Sequence, residues 1–246
     1  RPNVTIDIAV LCLKSGNAAI LRGGKEARNS NAALGELLQK ALTGATIPGD
    51  AIQVISDPDR AHVDELLEMS DLIDLVVPRG GAQLIDHVRR NATMPVVAHG
   101  DAVVQIYVDS RVDLEQAVAI VDNAKTRRYS ICNAVDTLLV HENVAPAFLG
   151  RLVGKWGPKV TFIGDSRARE VLERAGASDI EPATQETWKT EHLALRVGVR
   201  IVDSMTEAIE HIEHYGSHHS DAILSDDYSN AMEFLDAVDS AAVYIN

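Results

Sequence analysis

Cys132 stands in the stretch "TRRYSICNAVDTLLVH", residues 126–141, just past two arginines and a tyrosine and just before an apolar run that reads as a strand. A cysteine there has two readings. Free cysteine is among the most often buried residue types and packs as a small hydrophobe. Nearby positive charge, here Lys125, Arg127 and Arg128, instead favours the thiolate, which is the nucleophilic form. The same cations would also complement the negative C-terminal end of the helix that precedes them. The other cysteine, Cys12, falls on the apolar face of a helical stretch and reads as structural.

Other residues have chemistry open to them, each beside a plainer role. Asn3 lies just before a helix, where an N-cap or turn is the plain reading. "ILRGGKEARNS" sets Arg22, Lys25 and Arg28 beside a strand-to-helix turn, where cations can hold a 2′-phosphate; ordinary surface charge on a solvated turn is the alternative. "VVPRGG" places Arg79, Gly80 and Gly81 at the opening of a helix, where backbone N–H groups can approach a pyrophosphate, although tight turns also demand glycine. There is no G-x-G-x-x-G fingerprint. His99 and Asp101 can act as acid or base or as turn residues. "HIEHYGSHH" holds His211, His214, His218 and His219, but no acidic or cysteine ligand completes a pattern, so no metal is expected. Glu191, in "KTEHLAL", is by composition a surface acid.

The elements that must position these residues alternate. "TIDIAVLCLKSGN", "NAALGELLQKAL", "RAHVDELLEM" and "GGAQLIDHVRRN" read as helical, and "AAILR", "AIQVIS", "LIDLVVP", "MPVVA" and "QIYVD" as strands. "DLEQAVAIVDNAK" is a helix leading into the Cys132 stretch. Beyond it, "DTLLVH", "VTFIG", "LRVGVRIV", "DAILS" and "AAVYI" are strands, interleaved with helices such as "SMTEAIEHIEHY" and "DYSNAMEFLDAV". The alternation predicts an α/β fold with a parallel sheet covered by helices. The rhythm changes near residues 123–127, which sets a domain boundary there, with domains 1–124 and 125–246.

A chain of 246 residues, 46% hydrophobic, can bury a large core. A net charge of −13 argues against general nucleic-acid binding. Two distant cysteines without zinc or redox spacing suit a reducing compartment, and the cytoplasm is the expected location. No apolar run approaches the roughly 18 to 20 residues of a membrane span, so no membrane partner is expected, and the sequons "NVT" and "NAT" carry no weight. The abrupt ends, "RPNVT" and "SAAVYIN", read as those of a piece of something longer.

The segments "RPNVT", "LCLKSGNAAILRGGKEA", "VVPRGGAQLI", "NAKTRRYSICNAVDTLLVH", "EAIEHIEHYGSHHSDAI" and "VDSAAVYIN" resemble, in order, those of the gamma-glutamyl phosphate reductase family (glutamate-5-semialdehyde dehydrogenase), a branch of the aldehyde dehydrogenase superfamily. The resemblance implies an aldehyde dehydrogenase-like fold truncated at both ends, with a Rossmann-like NADP(H) domain followed by a catalytic α/β domain. It implies NADPH-dependent reduction of L-glutamyl 5-phosphate, a small-molecule substrate, on the way to proline. It makes Cys132 the nucleophile and Asn3 a donor to the oxyanion. Arg22 and Glu26, with Lys25 beside them, match the segment that binds the adenosine ribose, and Glu191 the glutamate that contacts the nicotinamide ribose. A homo-oligomer is implied at full length, and association with or fusion to glutamate 5-kinase stays open. Relatives carry a glycine-rich run ending in Cys-His where Val104 and Gln105 stand here, and the glutamate motif of hydrolytic relatives has no match. The competing expectation is a non-catalytic fragment or degenerate relative that acts through association.

Overall fold

The computed structural model describes residues 2–57, 59–98, 100 and 102–246. His99 and Asp101 lie outside the described residues. The chain divides into two compact units, Arg1–Ala98 and His99–Asn246.

In the first unit α1 (Asn3–Lys14) leads to β1 (Ala19–Arg22), α2 (Arg28–Gly44) and β2 (Ile52–Ile55), and α3 (Ala61–Leu67) and α4 (Ala82–Asn91) follow. α1 stops where Gly16 takes φ +79°. There the Asn17 N–H donates to the Cys12 carbonyl at 2.8 Å and the Gly16 N–H to the Leu13 carbonyl at 3.1 Å, which satisfies carbonyls the helix end leaves open. β1 and β2 pair in parallel, from Ala19 opposite Ile52 to Arg22 opposite Ile55. Ala9, Leu38 and Leu42 from the two helices pack on Ile52. The runs "LIDLVVP" and "MPVVA", expected as strands, form one isolated parallel bridge, Val76 to Val96. Leu72, Leu75, Val77 and Val97 in these runs are exposed, so the burial that supports a full parallel strand is missing.

The second unit holds β3 (Gln105–Val108), β4 (Thr137–His141), β5 (Thr161–Gly164), β6 (Ile180–Pro182), β7 (Arg196–Val202), β8 (Ser220–Leu224) and β9 (Ala242–Ile245). They form one sheet in the order β6-β5-β7-β4-β3-β8-β9, and every neighbouring pair is parallel. The helices are α5 (Leu114–Thr126), α6 (Ala145–Trp156), α7 (Ser166–Arg174), α8 (Met205–Tyr215) and α9 (Tyr228–Ala237). Strand alternation divides the side chains between two cores. Ile106, Val108, Leu138 and Val140 join Val121 of α5 and Phe148 and Leu152 of α6. Tyr107 and Leu139 join Ile212 of α8 and Phe234 of α9. Burial on both faces is why β3 and β4, in the middle of the sheet, read as largely apolar runs.

β3 is hydrogen-bonded to β4 and β8, and α5 packs into the first of these cores. Both elements therefore belong to the second unit, and the division falls at 98/99, not at the expected 124/125. The change of rhythm near 123–127 marks the loop that carries Cys132.

Candidate active site

Because the strands of the second unit are parallel, the segments leading into them gather at one edge. Gln105, Thr137 and Gly198 stand side by side there, with Asp221 beyond Gln105. Cys132 lies in the lead-in to β4 and is exposed. The packing reading of this cysteine needs burial, which is not met; Cys12 on α1 is half-buried. The Cys132 loop turns through the Ala134 N–H, which donates to the Ile131 carbonyl at 3.1 Å, and is tied to α5 by the Val135 N–H on the Ala124 carbonyl at 3.2 Å. The N–H groups of Asp136 and Thr137 both donate to the Val104 carbonyl, at 2.9 and 3.1 Å. Among the described residues nothing accepts from the Cys132 N–H, which leaves a backbone donor next to the sulfur for a developing oxyanion.

The expectation that Lys125 acts as a free cation toward Cys132 is corrected by its burial. Its side chain is 0% exposed and lies 3.8 Å from Asp136 Oδ1, and Nζ donates to the Val135 carbonyl at 2.7 Å. Burial pushes Lys125 down to about 8 and Asp136 up to about 6, and their mutual attraction opposes both shifts. Arg127 and Arg128 remain exposed. Glu191, half-buried in the lead-in to β7, raises Asp136 further through its charge. The next residue donates its N–H to Asp136 Oδ1 at 3.0 Å. Its imidazole, His192, is pushed down to about 4 by burial and then by the Lys125 and Arg196 charges, so it is neutral at pH 7.

The departure at Val104 and Gln105 falls inside the protein. Both are buried, and Gln105 Oε1 pairs with His211 Nδ1 at 2.8 Å. That pairing absorbs the most buried histidine of "HIEHYGSHH". Among the described residues no three His, Cys, Asp or Glu side chains gather as metal ligands would.

In the first unit, Arg22 ends β1 and Ile55 ends β2, so the carboxyl ends of both strands face one edge, the side on which open α/β sheets bind ligands. Lys25 and Glu26 are exposed there in a 3-10 turn, Lys25–Ala27. A recess at this edge is lined by Gly23, Gly24, Arg28, Asn31, Ile55 and Ser56. A Cβ at Gly23 would collide with Asn31 Nδ2, and one at Gly24 would lie 3.0 Å from Glu26 Oε2, so side chains at these positions would fill the recess. Asn31 is held in turn by the Thr5 hydroxyl, which donates to Oδ1 at 2.9 Å.

Arg79, Gly80 and Gly81 form a separate exposed group leading into α4, with Gly81 as its N-cap. An added Cβ at Gly80 would lie 2.7 Å from Leu84 Cδ2, whereas Gly81 has open space around it. Asn3 is the first residue of α1, not its N-cap, which is Pro2. Its amide is exposed, 3.5 Å from Asp7 Oδ2. The structure thus groups Cys132 with Glu191 at one sheet edge and Arg22, Lys25 and Glu26 at another. Asp136, at the base of the Cys132 loop, is the residue that sequence reasoning passed over. The signal was available in part, since Lys125 continues the apolar face of Val118 and Val121 and so needed a buried partner.

The aldehyde dehydrogenase family model matches residues 3–172, and the chain belongs to that family. Gamma-glutamyl phosphate reductases from strains of Dehalococcoides mccartyi are 47% identical over 247 residues, covering 100% of this chain and 58% of the relative. The crystal structure of gamma-glutamyl phosphate reductase from Thermotoga maritima matches with a TM-score of 0.93 at 42% identity, over 100% of this chain and 58% of that one. An engineered glycolyl-CoA reductase with bound NADP+ shares the fold at 16% identity and a TM-score of 0.71, over 94% of this chain and 59% of that one. The similarity carried by the six quoted segments is therefore borne out. The chain spans 58% of the length of the curated relatives it matches. Among the described residues no helix is long and apolar enough to cross a membrane.

Proposed function

We propose that the parent protein reduces L-glutamyl 5-phosphate to L-glutamate 5-semialdehyde with NADPH, through a thioester on Cys132. The observation that carries the reading is an exposed cysteine held at the lead-in edge of the sheet, in a chain 47% identical to proteins named for that reaction. The Cys132 thiolate attacks the acyl carbonyl, the bond to phosphate oxygen breaks, and phosphate leaves with its electron pair. The Cys132 N–H and the Asn3 amide are the proposed donors to the oxyanion. NADPH, when bound, supplies the hydride that reduces the thioester. The resulting thiohemiacetal oxyanion re-forms a carbonyl, and the Cys132 sulfur leaves as thiolate.

The residues at the β1–β2 edge fit a phosphorylated dinucleotide. The glycines keep the recess open, and Arg22, Lys25 and Arg28 bring cations to the same edge. Arg22, Lys25 and Glu26 would hold the adenosine ribose and its 2′-phosphate. The Arg79, Gly80 and Gly81 segment would meet the pyrophosphate, and Glu191 the nicotinamide ribose. A cytoplasmic location, a homo-oligomer, and association with or fusion to glutamate 5-kinase belong to the same proposal. The relatives bear enzyme names, which does not favour the association reading.

The test is the reverse reaction of the full-length protein, with glutamate semialdehyde, NADP+ and phosphate. Turnover is expected to require added phosphate. Cys132→Ser is expected to lower kcat by about 1,000-fold or more, since the nucleophile itself is weakened. Wild-type rates in that variant would overturn the assignment.

A further inference from the structure

We propose that Asp136, paired with Lys125, is a positioning residue: a buried clasp that sets the Cys132 loop and the Glu191 segment in register at the sheet edge. The inference rests on the reading of Cys132 as nucleophile. From the lead-in to β4, this one side chain reaches the lead-ins of two other strands. Asp136 Oδ2 accepts from the Val104 N–H at 3.3 Å, before β3, and Oδ1 accepts from the His192 N–H at 3.0 Å, before β7. Lys125 Nζ lies 3.8 Å from Oδ1 and donates to the Val135 carbonyl at 2.7 Å, which fixes the end of the Cys132 loop to α5. The Asp136 backbone adds two bonds, N–H to the Val104 carbonyl at 2.9 Å and carbonyl from the Gly198 N–H at 2.8 Å.

Asp136 is 2% exposed and Lys125 0%. Such a pair adds little net stability over apolar side chains of the same shape, because both charges must leave water. It does specify one geometry. Cys132 is four residues from Asp136, and Glu191 is next to the residue that Asp136 holds. The clasp therefore links the nucleophile loop to the proposed ribose-binding acid without touching substrate itself.

The experiment uses the full-length protein and compares wild type with Asp136→Asn, which keeps the shape and one acceptor oxygen. The variant is expected to lower kcat at least about 10-fold with KM changed less than about 3-fold, the pattern of a displaced reacting group. Amide hydrogen exchange is the second measurement. In wild type the N–H groups of Val104, Val135 and His192 are expected to exchange in concert, and in Asp136→Asn to lose protection together. A folded variant with kcat within about 2-fold of wild type overturns the proposal. If the variant does not fold, independent opening of these three amides in wild type overturns it, and concerted opening supports it. A wild type without turnover sinks the functional reading alone, and the exchange measurement still decides the clasp.

Discussion

His211 shows how burial turns a titratable side chain into a pH-dependent contribution to folding. It is 3% exposed, and burial first, then the Arg200 and His214 charges, push it down to about 3. Its ring packs on Trp188 and Tyr215, and Nδ1 pairs with Gln105. Unfolded, a histidine titrates near about 6.5. Protons thus bind the unfolded chain first, so the stability from this group is present above about pH 6.5 and is lost as pH falls toward about 3. Asp221 runs the other way. Burial raises it to about 6 despite the Ser240 and Gln105 hydrogen bonds, so its contribution is present below about pH 4 and is lost as pH rises through 6. His211→Phe removes one side of this opposition. At pH 7 it is expected to cost about 1 to 3 kcal/mol, because Gln105 Oε1 is left unpaired. The gap from wild type is then expected to narrow by up to about 1.4 kcal/mol per pH unit between about pH 6 and 4. Urea unfolding at pH 7, 6, 5 and 4 reads both quantities, and a gap that does not change with pH would refute the assignment. Residue types were legible in the sequence, but their environments only partly so. Lys125 sits on the period of Val118 and Val121, which marks it as buried. Its partner comes eleven positions later and depends on the path of a loop that no periodicity encodes.

At the scale of elements, local chemistry sets several of the ends. Asp113, Asp165, Ser204 and Asp227 each accept N–H groups from the first turn of the helix that follows, and Gly16 closes α1 in the left-handed region. Gly16→Ala keeps the chain but puts a Cβ where φ is +79°, with no neighbouring atom within 4 Å to blame for any loss. The expected cost is about 1 kcal/mol of stability, purely from backbone strain. A denaturant titration that shows no change would mean that α1 ends differently in solution. Such signals are readable because they act within one turn. "LIDLVVP" and "MPVVA" carried the same apolar signal as the strands of the second unit, yet they form only the Val76–Val96 bridge. An apolar run specifies a strand only when other elements cover it, and Leu72, Leu75, Val77 and Val97 are exposed.

For the whole chain, the α/β class follows from alternation alone, while the division at 98/99 does not. β3 is flanked by β4 and by β8, the latter more than a hundred residues downstream, and such a pairing leaves no local mark. The two units also differ in how much core they own. The second has a parallel sheet with apolar clusters on both faces, one of them built from α5, α6 and α7 against β3, β4, β5 and β7. The cluster of the first that includes β2 has four buried members, Ala9, Leu38, Leu42 and Ile52. A piece of about 150 residues with a covered sheet buries roughly two thirds of its unfolded surface, enough for cooperative folding. Residues 99–246 alone are therefore expected to melt in one sharp transition, and calorimetry of residues 1–246 to show that transition plus a broader, lower one. The isolated piece should keep its transition temperature within about 5 °C of the upper one, a shift equivalent to about 1–2 kcal/mol. A single transition in the longer chain, absent from the shorter, would mean that the second unit's stability depends on the first.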